Sequence, residues 1–203
     1  MENSLIQIIE AALLSASRPL SIDEIQKLFN EEQVVPSKEE LKMALDEIES
    51  LCLNRGVELK RVSSGFRMQV KQSLSSYIAK LWEERPHRYS KAALETLALI
   101  AYRQPITRGE IEEIRGVSVG TQLIRGIMER GWIKVIGQRD VPGKPSLYAT
   151  TKEFLDYFGL QHLRELPNLP NLTNTDTLNM ELPLEAEDVI EEEVSEQELP
   201  PQI

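Results

Sequence analysis

Cysteine, histidine and aromatic residues are scarce in this chain, and basic residues are missing from its C-terminal end. One cysteine, Cys52, leaves no partner for an intrachain disulfide and too few thiolates for a cysteine-based zinc site. The two histidines, His87 and His162, have no partner at the spacing of a metal-ligand pair or a catalytic dyad. Aromatic residues make up 5% of the chain. No run nears the ~20 apolar residues that cross a bilayer. Met1-Glu2-Asn3-Ser4 lacks the basic region and small-residue cleavage site of a secretory signal. Gly137 to Gly143 lacks the Gly-Lys-Ser/Thr ending of a phosphate loop. The expectation is a cytoplasmic protein with no catalytic site, no cofactor, no metal and no membrane contact.

What is present is charge, unevenly placed. The formal net charge of −10 comes from the end of the chain. From Asn171 to Ile203 there are ten acids and no Lys or Arg. The first 170 residues are left with 23 acids against 23 bases, which is neutral. That final segment also holds Pro183, Pro200 and Pro201 and no aromatic residue. Residues 168–203 are therefore expected to be a disordered acidic tail.

The body of the chain repeats itself. Arg18-Pro19-Leu20-Ser21-Ile22-Asp23-Glu24-Ile25 and Gln104-Pro105-Ile106-Thr107-Arg108-Gly109-Glu110-Ile111 share one pattern at an offset of 86 residues: Pro, apolar, hydroxyl, two variable positions, Glu, Ile. At the same offset Ile8, Ala11, Ala12, Leu13 and Leu14 fall on Leu94, Leu97, Ala98, Leu99 and Ile100. A match that runs through a preceding helix implies two copies of one module. Ser21 with Glu24 and Thr107 with Glu110 have the spacing of capping boxes, which satisfy free N–H groups at a helix start. Each opens a second helix. Ser37 with Glu40 opens a third, with Leu41, Ala44, Leu45, Ile48, Leu51 and Cys52 recurring at helical spacing. In the second copy Leu123, Ile124, Ile127 and Met128 form the corresponding stripe, and Gly131 stands where that helix ends.

After each third helix the apolar period changes to two. Val57 and Leu59 alternate with Glu58 and Lys60; after Ser63-Ser64-Gly65, Phe66, Met68 and Val70 alternate with Arg67, Gln69 and Lys71. That is a β-hairpin with one buried face. Trp132 to Ile136 and Ser146 to Thr150 read as strands around a longer loop, Gly137 to Pro145. A helix from about Ser75 to Glu84, striped with Leu74, Ile78, Leu81 and Trp82, closes the first copy. Thr150 with Glu153 caps a last short helix carrying Phe154, Leu155 and Phe158. The fold class expected is mainly α with small β wings: tandem winged helix-turn-helix domains over residues 1–84 and 90–167, with a linker at 85–89.

A winged helix places its third helix at the DNA major groove in many regulators. In the first copy that helix displays Glu39, Glu40, Asp46, Glu47 and Glu49 against Lys38 and Lys42, and phosphates spaced ~1.7 Å apart would repel it. The second copy offers Arg108, Arg115, Arg125, Arg130, Arg139 and Lys144, opposed by Glu110, Glu112, Glu113, Glu129 and Asp140. A solvated mixed surface is the plain reading, with weak, salt-sensitive DNA contact as the alternative. In the first helix Leu5, Ile6, Ile8, Ile9, Leu13 and Leu14 surround the axis, so it is buried on more than one side. Either the closing helix covers the surplus face, or a partner or second copy does.

Ala93 to Thr107, followed by Glu110-Ile111-Glu112-Glu113-Ile114-Arg115-Gly116-Val117, resembles the signature of the segregation and condensation protein B (ScpB) family. Gly137-Gln138-Arg139-Asp140-Val141-Pro142-Gly143-Lys144-Pro145, leading to Leu147-Tyr148, and Glu153-Phe154-Leu155 to Glu165-Leu166-Pro167 are similar to it as well. The resemblance implies a homodimer formed largely through the first winged helix. Its second domains would bind the central region of the kleisin ScpA, and with Smc this forms a condensin-like complex. It makes Leu5, Ile6, Ile9 and Leu13 the expected dimerisation residues, and Tyr102, Arg115, Arg139 and Lys144 the expected kleisin contacts. A winged-helix DNA-binding transcription regulator is the alternative function.

Overall fold

The computed structural model describes residues 4–30, 35–81 and 89–167. The described residues up to Leu166 form one compact unit, and beyond it only Pro167 is described. The acidic segment, His87 and positions 85–88 of the expected linker lie outside the described residues.

Three reciprocal caps set the helical frame of the first copy. α1 (Leu5–Ser15) starts at Ser4, α2 (Ile22–Lys27) at Ser21 and α3 (Lys38–Leu51) at Ser37. The Ser21 N–H donates to Glu24 Oε2 at 2.9 Å while the Glu24 N–H donates to Ser21 Oγ at 3.3 Å. Ser37 and Glu40 repeat the exchange at 2.8 and 3.2 Å. Each box satisfies two N–H groups that a helix start leaves free. β1 (Val57–Val62) and β2 (Gly65–Val70) then pair antiparallel across the Ser63-Ser64 turn, with Leu59 opposite Met68. Gly65 is required there: at φ 150° a Cβ would lie 2.2 Å from the Leu20 carbonyl oxygen. Ile9, Ile25, Leu41 and Ile48 are completely enclosed between these elements, each contributing roughly 1.5–3 kcal/mol of apolar transfer.

The second copy follows the same order. α5 (Lys91–Arg103), β3 (Ile106–Thr107), α6 (Arg108–Arg115), α7 (Thr121–Glu129), β4 (Ile133–Gln138) and β5 (Ser146–Thr150) lead to α8 (Lys152–Tyr157). Its own core gathers Leu97, Ile100, Ile111, Val119, Ile124 and Ile127, and shares no residue with the first. Thr107 and Glu110 form the capping box of α6, and Gly131, at φ 71°, follows the end of α7 as expected. The strand order is β3-β5-β4, all antiparallel. The short strand β3 was not expected. It has a counterpart in the first copy, where Leu20 bridges to Phe66 through two 2.8 Å hydrogen bonds.

Four expectations are corrected. The 86-residue offset does not carry the helix before the motif: Leu14 is 59% exposed, whereas Ile100, its expected equivalent, is fully buried. One residue of slip turns a helix by roughly 100°, so a different stripe faces the core. Leu51 leaves its stripe and is exposed at the end of α3. The cap of α8 is Thr151, whose hydroxyl accepts the Phe154 N–H at 3.1 Å. Thr150 is the last residue of β5, held by Gln104 Oε1 at 2.8 Å. The closing helix shortens to α4 (Ser75–Ile78) between two 3₁₀ turns, Gln72–Leu74 and Ala79–Leu81. So short a helix cannot sustain an apolar stripe, and Leu81 is 73% exposed. Residues Trp82 to Glu84 lie outside the described residues.

Candidate functional site

The four residues expected at a partner surface of the second copy differ in exposure and in what they bind. Arg139, in the loop between β4 and β5, reaches back to Glu110 of α6 at 3.0 Å. Glu110 also accepts from the Thr107 N–H and hydroxyl, both at 2.8 Å. Those two bonds, with the Arg139 charge added, hold its carboxyl below the usual range. Arg115, five residues and roughly 7 Å of helix rise further along α6, has only 10% of its side chain exposed and pairs with Glu95 at 3.0 Å. Its Nε is buried without a hydrogen-bond partner. Tyr102 is half-buried on α5. Lys144 is exposed at the turn of the loop, its N–H donating to the Val141 carbonyl at 2.9 Å.

Other cations of this face are paired as well. Arg108 binds Glu112 at 3.0 Å and Arg125 binds Glu129 at 2.8 Å, both one helical turn apart. The Glu112 carboxyl is held low by the Val119 N–H first and by Arg108 second.

A cleft of about 290 Å³ opens between α5 and α7. Leu94, Leu123 and Ile127 give it apolar walls, and Tyr89, Arg130 and Trp132 stand at one side. Trp132 packs on Tyr89 with ring centroids 5.1 Å apart and on Tyr157 at 4.7 Å. The Arg130 guanidinium lies over Tyr89 at 5.3 Å and over Trp132 at 5.9 Å, an arrangement in which ring faces hold the cation. The hydroxyls of Tyr89 and Tyr157 meet at 3.0 Å. That bond and burial raise the Tyr157 phenol above its ordinary 10.0. Sequence reasoning missed this cluster. Its only linear trace is that so aromatic-poor a chain carries Trp132, Tyr157 and Phe158 in one copy.

In the first copy, Ile9 and Leu13 of α1 are 0% and 2% exposed inside their own core, with no surface left for a second chain. Leu5, Ile6 and Ile8 pack partly against that core, and Leu14 faces outward. α4 packs on the 3₁₀ turns beside it and not broadly on α1. Arg55 ties the end of the α3 region to Glu10 of α1 at 2.9 Å, and Lys71 Nζ donates to the Leu53 carbonyl at 2.7 Å. The segment following α3 therefore joins α1 to the approach to α4, and in the first copy Leu14, Leu51, Leu53, Tyr77, Ile78 and Leu81 are exposed.

Among the described residues no group of three His, Cys, Asp or Glu side chains is placed to hold a metal ion. Cys52 is buried in the first core. His162 lies 3.2 Å from Glu165. No described helix is long and apolar enough to cross a membrane.

These surfaces belong to a helix-rich chain with small sheets, clefts and exposed apolar side chains. Comparison with known proteins gives the class: the family model described as "Segregation and condensation complex subunit ScpB" matches residues 7–169. The "Segregation and condensation protein B homolog" of Coxiella burnetii (strain RSA 493 / Nine Mile phase I) is 46% identical over 189 residues, covering 93% of this chain and 90% of that one. The crystal structure of ScpB from Mycobacterium tuberculosis matches with 30% identity and a TM-score of 0.36, over 79% of this chain and 99% of that one. A crystal structure described as a dimer of ScpB N-terminal domain complexed with ScpA peptide matches with 25% identity and a TM-score of 0.34, over 38% and 93%. The chain belongs to the segregation and condensation protein B family.

Proposed function

We propose that this chain is a non-enzymatic adaptor that works as a homodimer. It binds the central region of the kleisin ScpA and, through it, joins an Smc complex that condenses and segregates the chromosome. The observation that carries this reading is the family match over residues 7–169, together with 46% identity to a relative across 93% of the chain. The adaptor consists of two winged-helix domains, residues 1–84 and 90–167, joined by 85–89 and followed by the acidic tail. It acts in the cytoplasm, at the nucleoid.

Dimerisation is assigned to the first copy, through the exposed apolar side chains Leu14, Leu51, Leu53, Tyr77 and Leu81 with Leu5 and Ile6 at the margin. So many exposed large apolar groups on one small domain suit a surface that a second copy covers. The kleisin contact is assigned to the second copy. There the cleft between α5 and α7 offers an apolar floor and a cation at its rim, which suits an apolar anchor with an acidic neighbour. Arg139, Lys144 and Tyr102 are secondary contacts. Arg115, engaged by Glu95, supports α6 rather than meeting the partner.

The regulator alternative needs free cations facing phosphate. Arg108, Arg125 and Arg139 are instead neutralised by Glu112, Glu129 and Glu110. DNA contact by this subunit is weak or indirect. Light scattering on the eluting full chain tests the reading: the mass should be twice 23.1 kDa and rise on adding the kleisin segment. A monomer that elutes unchanged with the kleisin and binds DNA with a steep salt dependence would overturn it.

A further inference from the structure

Elements of the two copies do not pack broadly on one another among the described residues, and their apolar cores are separate. One compact contact nevertheless joins them. The Ser63-Ser64 turn, between β1 and β2, meets the C-terminal end of α8. The Ser64 N–H donates to Asp156 Oδ1 at 2.9 Å, and the Ser64 hydroxyl donates to Asp156 Oδ2. The Ser63 N–H donates to the Leu160 carbonyl at 3.0 Å. Arg67 Nη1 donates to the Asp156 main-chain carbonyl at 2.9 Å.

Every donor comes from the first copy and every acceptor from the second. That polarity has a physical basis. The last turn of a helix carries partial negative charge on its carbonyl groups, and the Asp156 carbonyl keeps room for Arg67 beside the Gly159 N–H it accepts at 3.2 Å. The Asp156 carboxylate, which takes both Ser64 donors, adds a full negative charge, while the guanidinium of Arg67 donates to the main-chain carbonyl beside it. Arg67 is itself oriented, its Nε donating to Gln69 Oε1 at 3.0 Å while Gln69 Nε2 donates to Glu58 at 2.7 Å. The approach is also close at Gly159, where an added Cβ would lie 3.6 Å from Lys60 Cε and 3.9 Å from Arg67 Nη2.

We propose that Ser63, Ser64 and Arg67 form a reversible latch on the Asp156–Leu160 segment that fixes the orientation of the second copy against the first. Hydrogen bonds at half-buried positions exchange with water when broken, so such a contact opens and closes where an apolar interface would stay shut. A partner that grips both copies in the latched orientation meets a preorganised surface. One that needs another orientation must first open the latch.

The test uses the full chain, labelled for NMR. In the wild type, residual dipolar couplings from both copies should fit a single alignment tensor, with the Ser63 and Ser64 amides protected from exchange. In Asp156→Ala the two copies should need separate tensors, and those two amides should exchange roughly tenfold faster or more. Amides at the centre of β1 and in α5 should not change, which shows both copies still folded. Arg67→Ala is the second variant; it leaves α8 untouched and should show the same separation of tensors if Asp156→Ala fails to fold. Two tensors in the wild type, or one tensor in a folded variant with Ser63 and Ser64 as protected as before, overturns the latch.

Discussion

Glu24 is half-buried, and its carboxyl is pushed down from 4.5 to about 2. The largest cause is the Ser21 N–H it accepts, followed by the Ser21 hydroxyl and Arg18. Glu40 and Glu110 are lowered for the same reason, by Ser37 and Thr107. A carboxyl depressed in the folded state binds its proton less readily there than in the unfolded chain. Its stabilising contribution is therefore complete above about 4.5 and is lost as pH falls through the folded value. The urea midpoint should thus hold level down to about pH 4.5 and fall from there toward about pH 2. Replacing Glu24, Glu40 and Glu110 together by Gln should flatten that fall; an unchanged acid slope in the triple variant would remove the caps from the explanation. All three caps were readable from the sequence because a capping box is a local spacing. The choice between Thr150 and Thr151 was not, since it is decided by Gln104, 46 positions away.

At the scale of elements, Gly65 and Gly109 make opposite predictions. A methyl group at Gly65 would meet the Leu20 carbonyl at 2.2 Å, whereas nothing lies within 4 Å of one at Gly109 in α6. Gly65→Ala should cost on the order of 2–4 kcal/mol, through strain and loss of the Leu20–Phe66 bridge. Gly109→Ala should gain roughly 0.5–1 kcal/mol by restricting the unfolded chain. Urea unfolding of both measures the difference; equal stabilities would mean the hairpin does not depend on that close approach. The hairpin was legible because Val57, Leu59, Phe66 and Met68 alternate. The two-residue strand β3 is too short to show any period, and the facing of α1 turned on a single residue of slip. The cleft between α5 and α7 is built from side chains distant in sequence, so no motif announced it.

For the whole molecule, the account predicts that the exposed apolar side chains of the first copy hold two chains together. Tyr77→Glu with Leu81→Glu should raise the dimer dissociation constant by about tenfold or more, or ~1.4 kcal/mol, without lowering the unfolding midpoint of the separated chains. Sedimentation at several concentrations reads this directly, and an unmoved constant would take α4 out of the interface. In the second copy Arg130→Glu should weaken kleisin binding by roughly 2 kcal/mol as a central contact, and Arg139→Glu by less. The reverse order would put the loop, not the cleft, at the centre. Membership of the ScpB family was readable from the long motifs between Ala93 and Pro167; the Ser64–Asp156 contact, spanning 92 positions, was not. The most direct test of the central claim is calorimetric titration of the full chain with the central segment of the ScpA kleisin from the same genome. The account predicts saturable binding of about micromolar affinity or tighter, near −8 kcal/mol, with two chains per segment. The absence of binding heat at two well-separated temperatures, from a sample whose dimer mass and helical signal are intact, would contradict it.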